Sequence, residues 1–95
     1  MTEAQIAYRN IYKAKQMIRT QVDLNIAAEL LTSCVNFNPS WKSARKSRSM
    51  VYKKLDQLEL ALQDLSKVVE LEPTSWRAYS NRVDVYLILA RHDSV

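Results

Sequence analysis

Two prolines divide this 95-residue chain into stretches that repeat. Pro39 and Pro73 stand 34 residues apart, and each closes a run of the same pattern. Ala27, Leu31 and Val35 before Pro39 correspond to Ala61, Leu65 and Val69 before Pro73. A tryptophan and a base follow each proline, Trp41-Lys42 and Trp76-Arg77, and then an alanine, Ala44 and Ala78. A fixed period of this length belongs to chains whose units cannot bury their apolar faces alone and must stack on their neighbours.

Each unit reads as helix. From Leu58 the apolar positions are 58, 61, 62, 65, 68, 69 and 71, the three-and-four spacing of an amphipathic helix. A proline ends such a helix, because it pushes the residue before it out of the α region. Thr74 or Ser75 is then placed to cap the following helix, Ser40 to do the same after Pro39, and Thr2 with Gln5 to form a capping box. The spacing predicts five helices, near 2–20, 24–37, 41–54, 57–71 and 75–91. The chain contains no glycine, where about six or seven are usual at this length. Glycine-rich phosphate loops, dinucleotide fingerprints and nucleophile elbows are thereby excluded, and hairpins built on Asn-Gly or Asp-Gly are too. What remains is an all-α chain forming one domain over residues 1–95.

Charge is distributed unevenly. Residues 1–54 hold ten Lys or Arg against Glu3, Asp23 and Glu29, whereas residues 55–95 hold four against seven acids. Between 42 and 54 stand Lys42, Arg45, Lys46, Arg48, Lys53 and Lys54 with no acid among them. Such a block is either a solvated helix face or a contact surface for an anionic partner. One cysteine makes no internal disulfide, the N-terminus has no signal-peptide pattern, and no apolar run is long enough to span a bilayer. These features point to an intracellular chain, cytoplasmic or nuclear, without a membrane role.

A helix–turn–helix unit of 34 residues closed by proline resembles the tetratricopeptide repeat (TPR). The resemblance implies units at 8–41 and 42–75 with a partial third at 76–95, stacked as a right-handed superhelix with a concave groove. Ala27 and Ala61 match the family's small residue opening the second helix. Tyr52 and Tyr86 match its first-helix aromatic, and Leu31 and Leu65 its large second-helix residue. The places where the family uses small residues or glycine hold Lys15, Ser49 and Val83 within first helices, and Val22, Asp56 and Ala90 at turns. A divergent array is therefore expected, with packing widened at the first set and turns closed without glycine.

In this family the groove is lined by the first helix of each unit. Carried over, the lining is Arg9, Tyr12, Gln16, Arg19 and Thr20, then Ser43, Lys46, Met50, Lys53 and Lys54, then Arg77, Ser80, Asp84, Leu87 and Ile88. Six of these are basic and one is acidic, so the resemblance implies a positive groove suited to an acidic peptide or a free carboxylate. Partner contacts are expected at Arg9, Tyr12, Arg19, Lys46, Met50, Lys53, Lys54, Arg77 and Asn81. One subfamily grips the acidic C-terminus of chaperones with Lys, Asn, Asn, Lys and Arg spread over three units. Lys46 and Asn81 match two of these places, and Met50 replaces an Asn. The implied role is a non-catalytic adaptor, scaffold or co-chaperone module.

The alternative is RNA binding, with the 42–54 block on phosphates and Trp41 or Tyr52 stacking on bases. Trp41 and Trp76 are otherwise expected to pack beneath the inter-unit turns. Catalysis finds no support: His92 is the only histidine, Cys34 falls on an inner helix face without a histidine to activate it, and the carboxylates fall on solvent faces. No metal or cofactor is expected, since zinc-type Cys and His spacings are missing. The last helix carries an apolar face, including Val85 and Leu89, that a following helix would cover, so self-association there is a further expectation.

Overall fold

The computed structural model describes residues 1–93; Ser94 and Val95, the end of the expected partial third unit, lie outside the described residues. Thr2 opens the first helix as foreseen. Its hydroxyl accepts from the Gln5 backbone (3.2 Å), while Gln5 Oε1 accepts from the Thr2 backbone (2.8 Å). Helix α1 then runs Glu3–Thr20, α2 Leu24–Phe37, α3 Lys42–Lys54, α4 Leu58–Leu71 and α5 Trp76–Asp93. No strand occurs among the described residues. Sequential helices pack pairwise, α1 on α2, α2 on α3, α3 on α4 and α4 on α5, and α1 also touches α3.

Both hairpin turns close without glycine by the same device. The Val22 amide donates to Met17 O (3.1 Å) and the Gln21 amide to Ile18 O (3.2 Å). In the second turn the Gln57 amide donates to Tyr52 O (2.8 Å) and the Asp56 amide to Lys53 O (3.1 Å). Paired bonds of this kind satisfy the last carbonyls of a helix and force one residue into the left-handed region. That residue is Gln21 (φ 55°) in the first turn and Asp56 (φ 60°) in the second. Asp56 is the turn position read from the sequence. In the first turn the role shifts from Val22 to Gln21, which spares a β-branched residue a conformation hostile to it. Asp23 (φ 53°) is a third left-handed residue, at the N-terminus of α2.

The two inter-unit joints differ. At 72–75 the expectation holds, and Ser75 Oγ accepts from the Ala78 amide (3.4 Å). At 38–41 it fails. Ser40 does not cap: the N-cap of α3 is Trp41, whose side chain makes no capping bond, and the Ser40 amide donates to Asn38 Oδ1 (3.1 Å). Trp41, extended at this position, packs half-buried against the first core, with its ring edge-on to Tyr8 at 5.1 Å. Trp76 corrects the parallel reading: it is 73% exposed. Two steps separate Pro39 from Trp41 but three separate Pro73 from Trp76, so Trp76 falls inside the helix rather than before it. One added residue turns a side chain by roughly 100° about the axis.

Two cores result. The first joins α1, α2 and α3 through Ile11, Ala14, Ala27, Leu31, Cys34, Val35, Ala44 and Val51. The second joins α4 to α5 through Leu58, Ala61, Leu65 and Val85, with Tyr52 of α3 packed against it. Of the residues expected to widen packing, Ser49 is buried but Lys15 and Val83 point outward. Lys15 Nζ donates to Ser43 Oγ (2.6 Å), linking α1 to α3.

Candidate functional site

Helices α3 and α5 lie on either side of α4, and the space between them is a cavity of about 300 Å³. Lys46, Ser49, Met50 and Lys53 descend one wall from α3, at the i, i+3, i+4, i+7 spacing that puts side chains on one helix face. Arg77, Ala78, Asn81 and Val85 form the opposite wall from α5, and Leu65 of α4 closes the floor. Ser49, Leu65, Ala78 and Val85 are buried, so the floor is mostly apolar, while Lys46, Lys53, Arg77 and Asn81 stand exposed around it. Ser49 turns its own hydroxyl to Lys46 O (2.7 Å). The arrangement offers three cations and one amide above a mostly apolar base.

Five of the nine sequence-predicted contact residues, Lys46, Met50, Lys53, Arg77 and Asn81, meet in this cavity. Arg9, Tyr12, Arg19 and Lys54 are also exposed but do not line it. Arg19 is held by Gln16 on its own helix. Lys54 turns away because α3 places it one residue, about 100°, beyond Lys53.

The basic block is less available than its composition suggests. Asp64 of α4 is fully buried, which corrects the expectation that carboxylates lie on solvent faces. Arg48 donates to it as a fork, Nε to Oδ2 (2.8 Å) and Nη2 to Oδ1 (2.7 Å), and Arg45 Nη1 adds a third bond to Oδ1 (3.2 Å). Arg48 Nη1 donates to Thr32 Oγ1 of α2 (3.3 Å), and its guanidinium lies over the Tyr52 ring at 5.5 Å. The hydrogen bonds to Asp64 hold Arg48 above the ordinary arginine range, outweighing the opposing effect of burial. Lys42 and Lys46 both approach Glu72 Oε1 at 3.2 Å. Hydrogen bonds from Lys46 and Lys42 draw the Glu72 carboxyl below the usual carboxylate range. Only Lys53 and Lys54 of the six bases have no partner among the described residues.

Asp64 and Glu72 were missed because the family's groove places fall only on first helices. Both lie on or at the end of α4, and Glu72 could have been suspected only from its position directly before Pro73. Trp76 is a third omission: it is exposed, with the guanidinium of the cavity-lining Arg77 over its ring at 5.7 Å. Cys34 is buried, donates to Ala7 O (3.4 Å), and its thiol is pushed up by that burial, away from the thiolate a nucleophile needs. Among the described residues no cluster of His, Cys, Asp or Glu could hold a metal, and no helix is long and apolar enough to cross a membrane.

No family model matches the chain. Among curated proteins, a UDP-N-acetylglucosamine–peptide N-acetylglucosaminyltransferase of Giardia intestinalis is 24% identical over 82 residues. That match takes in 86% of this chain but only 6% of the transferase. Among solved structures, the first TPR of Spaghetti (RPAP3), bound to the HSP90 peptide SRMEEVD, superposes with a TM-score of 0.82 at 25% identity. It is matched over 88% of this chain and 66% of that one. Five helices without strands among the described residues, paired as hairpins and superposing at this level, give the chain the tetratricopeptide-repeat fold, with room for about two and a half units.

Proposed function

We propose that the chain is a protein-interaction module that holds an acidic peptide across the α3–α5 groove, without catalysis of its own. The observation that carries this reading is the cavity itself. Cations from two different helices, Lys46 and Lys53 on α3 against Arg77 on α5, face one another across an apolar floor, with Asn81 on the same wall as Arg77. Carboxylates are drawn to such a rim by charge-assisted hydrogen bonds, and an aliphatic side chain between them buries on Leu65 and Val85. The Spaghetti domain is bound to a peptide with two Glu and a terminal Asp, which supports the same ligand chemistry here. With units taken at 8–41, 42–75 and 76–95, the rim cations Lys46, Lys53 and Arg77 fall on first helices, as this reading requires. The likeness to the transferase spans too little of that enzyme to bring its activity with it. An adaptor, scaffold or co-chaperone role in an intracellular compartment is the setting we favour.

The charge pairing weighs against nucleic acid. Four of the six bases between 42 and 54 already face carboxylates of this chain, and Arg45 and Arg48 are largely withdrawn from solvent. Fluorescence anisotropy with labelled SRMEEVD tests the proposal. Binding is expected to weaken at least tenfold in Lys53→Glu/Arg77→Glu, with a single-stranded RNA of equal length binding more weakly at 150 mM salt. Equal affinity of wild type and the double variant would move the site off this groove. Tighter, steeply salt-dependent RNA binding would favour the other class.

A further inference from the structure

Lys46 serves two places at once. Its side chain forms part of the cavity wall, yet its ammonium lies 3.2 Å from Glu72 Oε1, and the same oxygen lies 3.2 Å from Lys42 Nζ. Lys42 and Lys46 are one helical turn apart on α3, so a single carboxylate reaches both. Glu72 is well placed to do this. Its amide donates to Val68 O (2.8 Å), its carbonyl accepts from the Ser75 amide (3.1 Å), and Pro73 restricts the backbone between. The carboxylate is thus delivered to the rim of the groove by a fixed piece of chain at the end of α4.

Resting on the reading above, we propose that Glu72 is a built-in competitor that occupies Lys46, and with it Lys42, until an acidic ligand displaces it. The lysine side chains are about half exposed, 47% and 49%, so the contact is of the solvent-screened kind that an incoming carboxylate can exchange with. Because Glu72 is tethered, its effective concentration at Lys46 far exceeds that of a free anion. A lone carboxylate gains little by displacing it. A ligand already anchored at Lys53 and Arg77 presents its next carboxylate as an equally intramolecular group and can exchange. The consequence is selection for peptides with at least two closely spaced carboxylates, and an affinity set below what the bare cations would give.

Anisotropy with labelled SRMEEVD and with the carboxylate-free SRMQQVN amide distinguishes the possibilities. Glu72→Gln keeps the shape of the side chain and is expected to bind SRMEEVD about two- to fivefold more tightly, with no gain for SRMQQVN amide. Glu70→Gln makes the same change in net charge at a carboxylate paired only with Lys67 on α4's outer face, and is expected to leave affinity unchanged. Equal gains in Glu70→Gln and Glu72→Gln would overturn the competitor in favour of net charge. No gain in Glu72→Gln, with binding still lost in Lys53→Ala, would overturn it while leaving the groove intact. No binding of SRMEEVD to either protein would overturn the groove reading and this inference with it.

Discussion

Replacing Asp64 by Asn removes one charge and almost no volume from the best-enclosed polar group of the molecule. Its carboxylate is fully buried and accepts three hydrogen bonds from two arginines of the neighbouring helix. Removing one partner of a buried pair costs about 3–5 kcal/mol, because the other charge stays in place without compensation. Arg48 and Arg45 keep 14% and 16% of their side-chain surface exposed, so water relieves part of that penalty and places the cost near the lower bound. A loss of about 3 kcal/mol is a large share of the roughly 5–15 kcal/mol that stabilises a domain. For a chain of this size it lowers the melting temperature by about 12 °C or more. Thermal and urea melts followed by helical circular dichroism measure it. Asp64→Leu combined with Arg48→Met is expected to recover at least half of the loss, since apolar groups of similar volume often replace a buried pair without penalty. A single Asn variant melting within about 3 °C of wild type would refute the claim that this pair clasps α4 to α3.

The left-handed turn residues give a prediction of opposite sign: Gln21→Gly is expected to stabilise by about 0.5–1 kcal/mol, read as a raised melting midpoint, because glycine relieves the Cβ penalty at φ 55°. Cys34, whose thiol burial pushes up, should resist a thiol-reactive dye in the native state and react fully in denaturing urea; labelling of the native protein at the unfolded rate would contradict its placement. Glu72, drawn down by Lys46 and Lys42, contributes its pairing energy above the ordinary carboxylate range and loses it only as pH falls through the lowered value. Carbon-detected NMR should find its titration midpoint below that range, and Lys42→Ala/Lys46→Ala should return it upward. Leu31→Ala, at a fully buried position, is expected to cost about 2–5 kcal/mol in the same melts.

Helix positions were legible because two independent signals coincide, apolar spacing within each helix and proline between the units. The observed bounds fall within one or two residues of those read from the chain. The groove was partly legible for a related reason. Positions three or four apart on one helix share a face wherever that helix goes, so Lys46, Met50 and Lys53 had to stand together once α3 formed. What the pattern concealed depends on two helices meeting. Asp64 looks like a surface acid within α4, and only the approach of α3 turns it into the anchor for Arg45 and Arg48. Trp76 looked equivalent to Trp41 by composition, but one extra residue after the proline changed its direction. Glu72 lies past the helix whose periodicity was being read, so no spacing argument reached it.

The division into two cores has a consequence for how ligand and fold are linked. The α1–α3 block holds itself together through eight buried residues, whereas α5 rests mainly on α4 through a core of four, so the seam beside α5 is the weaker one among the described residues. The groove is built across that weaker seam, with one wall on α3 and the other on α5. On the proposed reading, a peptide gripping both walls acts as a removable rivet: it closes the seam while bound, and part of its binding free energy appears as added protection of α5. Amide hydrogen exchange in α5 thereby becomes a gauge of occupancy, slowing with ligand while the amides of α1 and α2 hardly change.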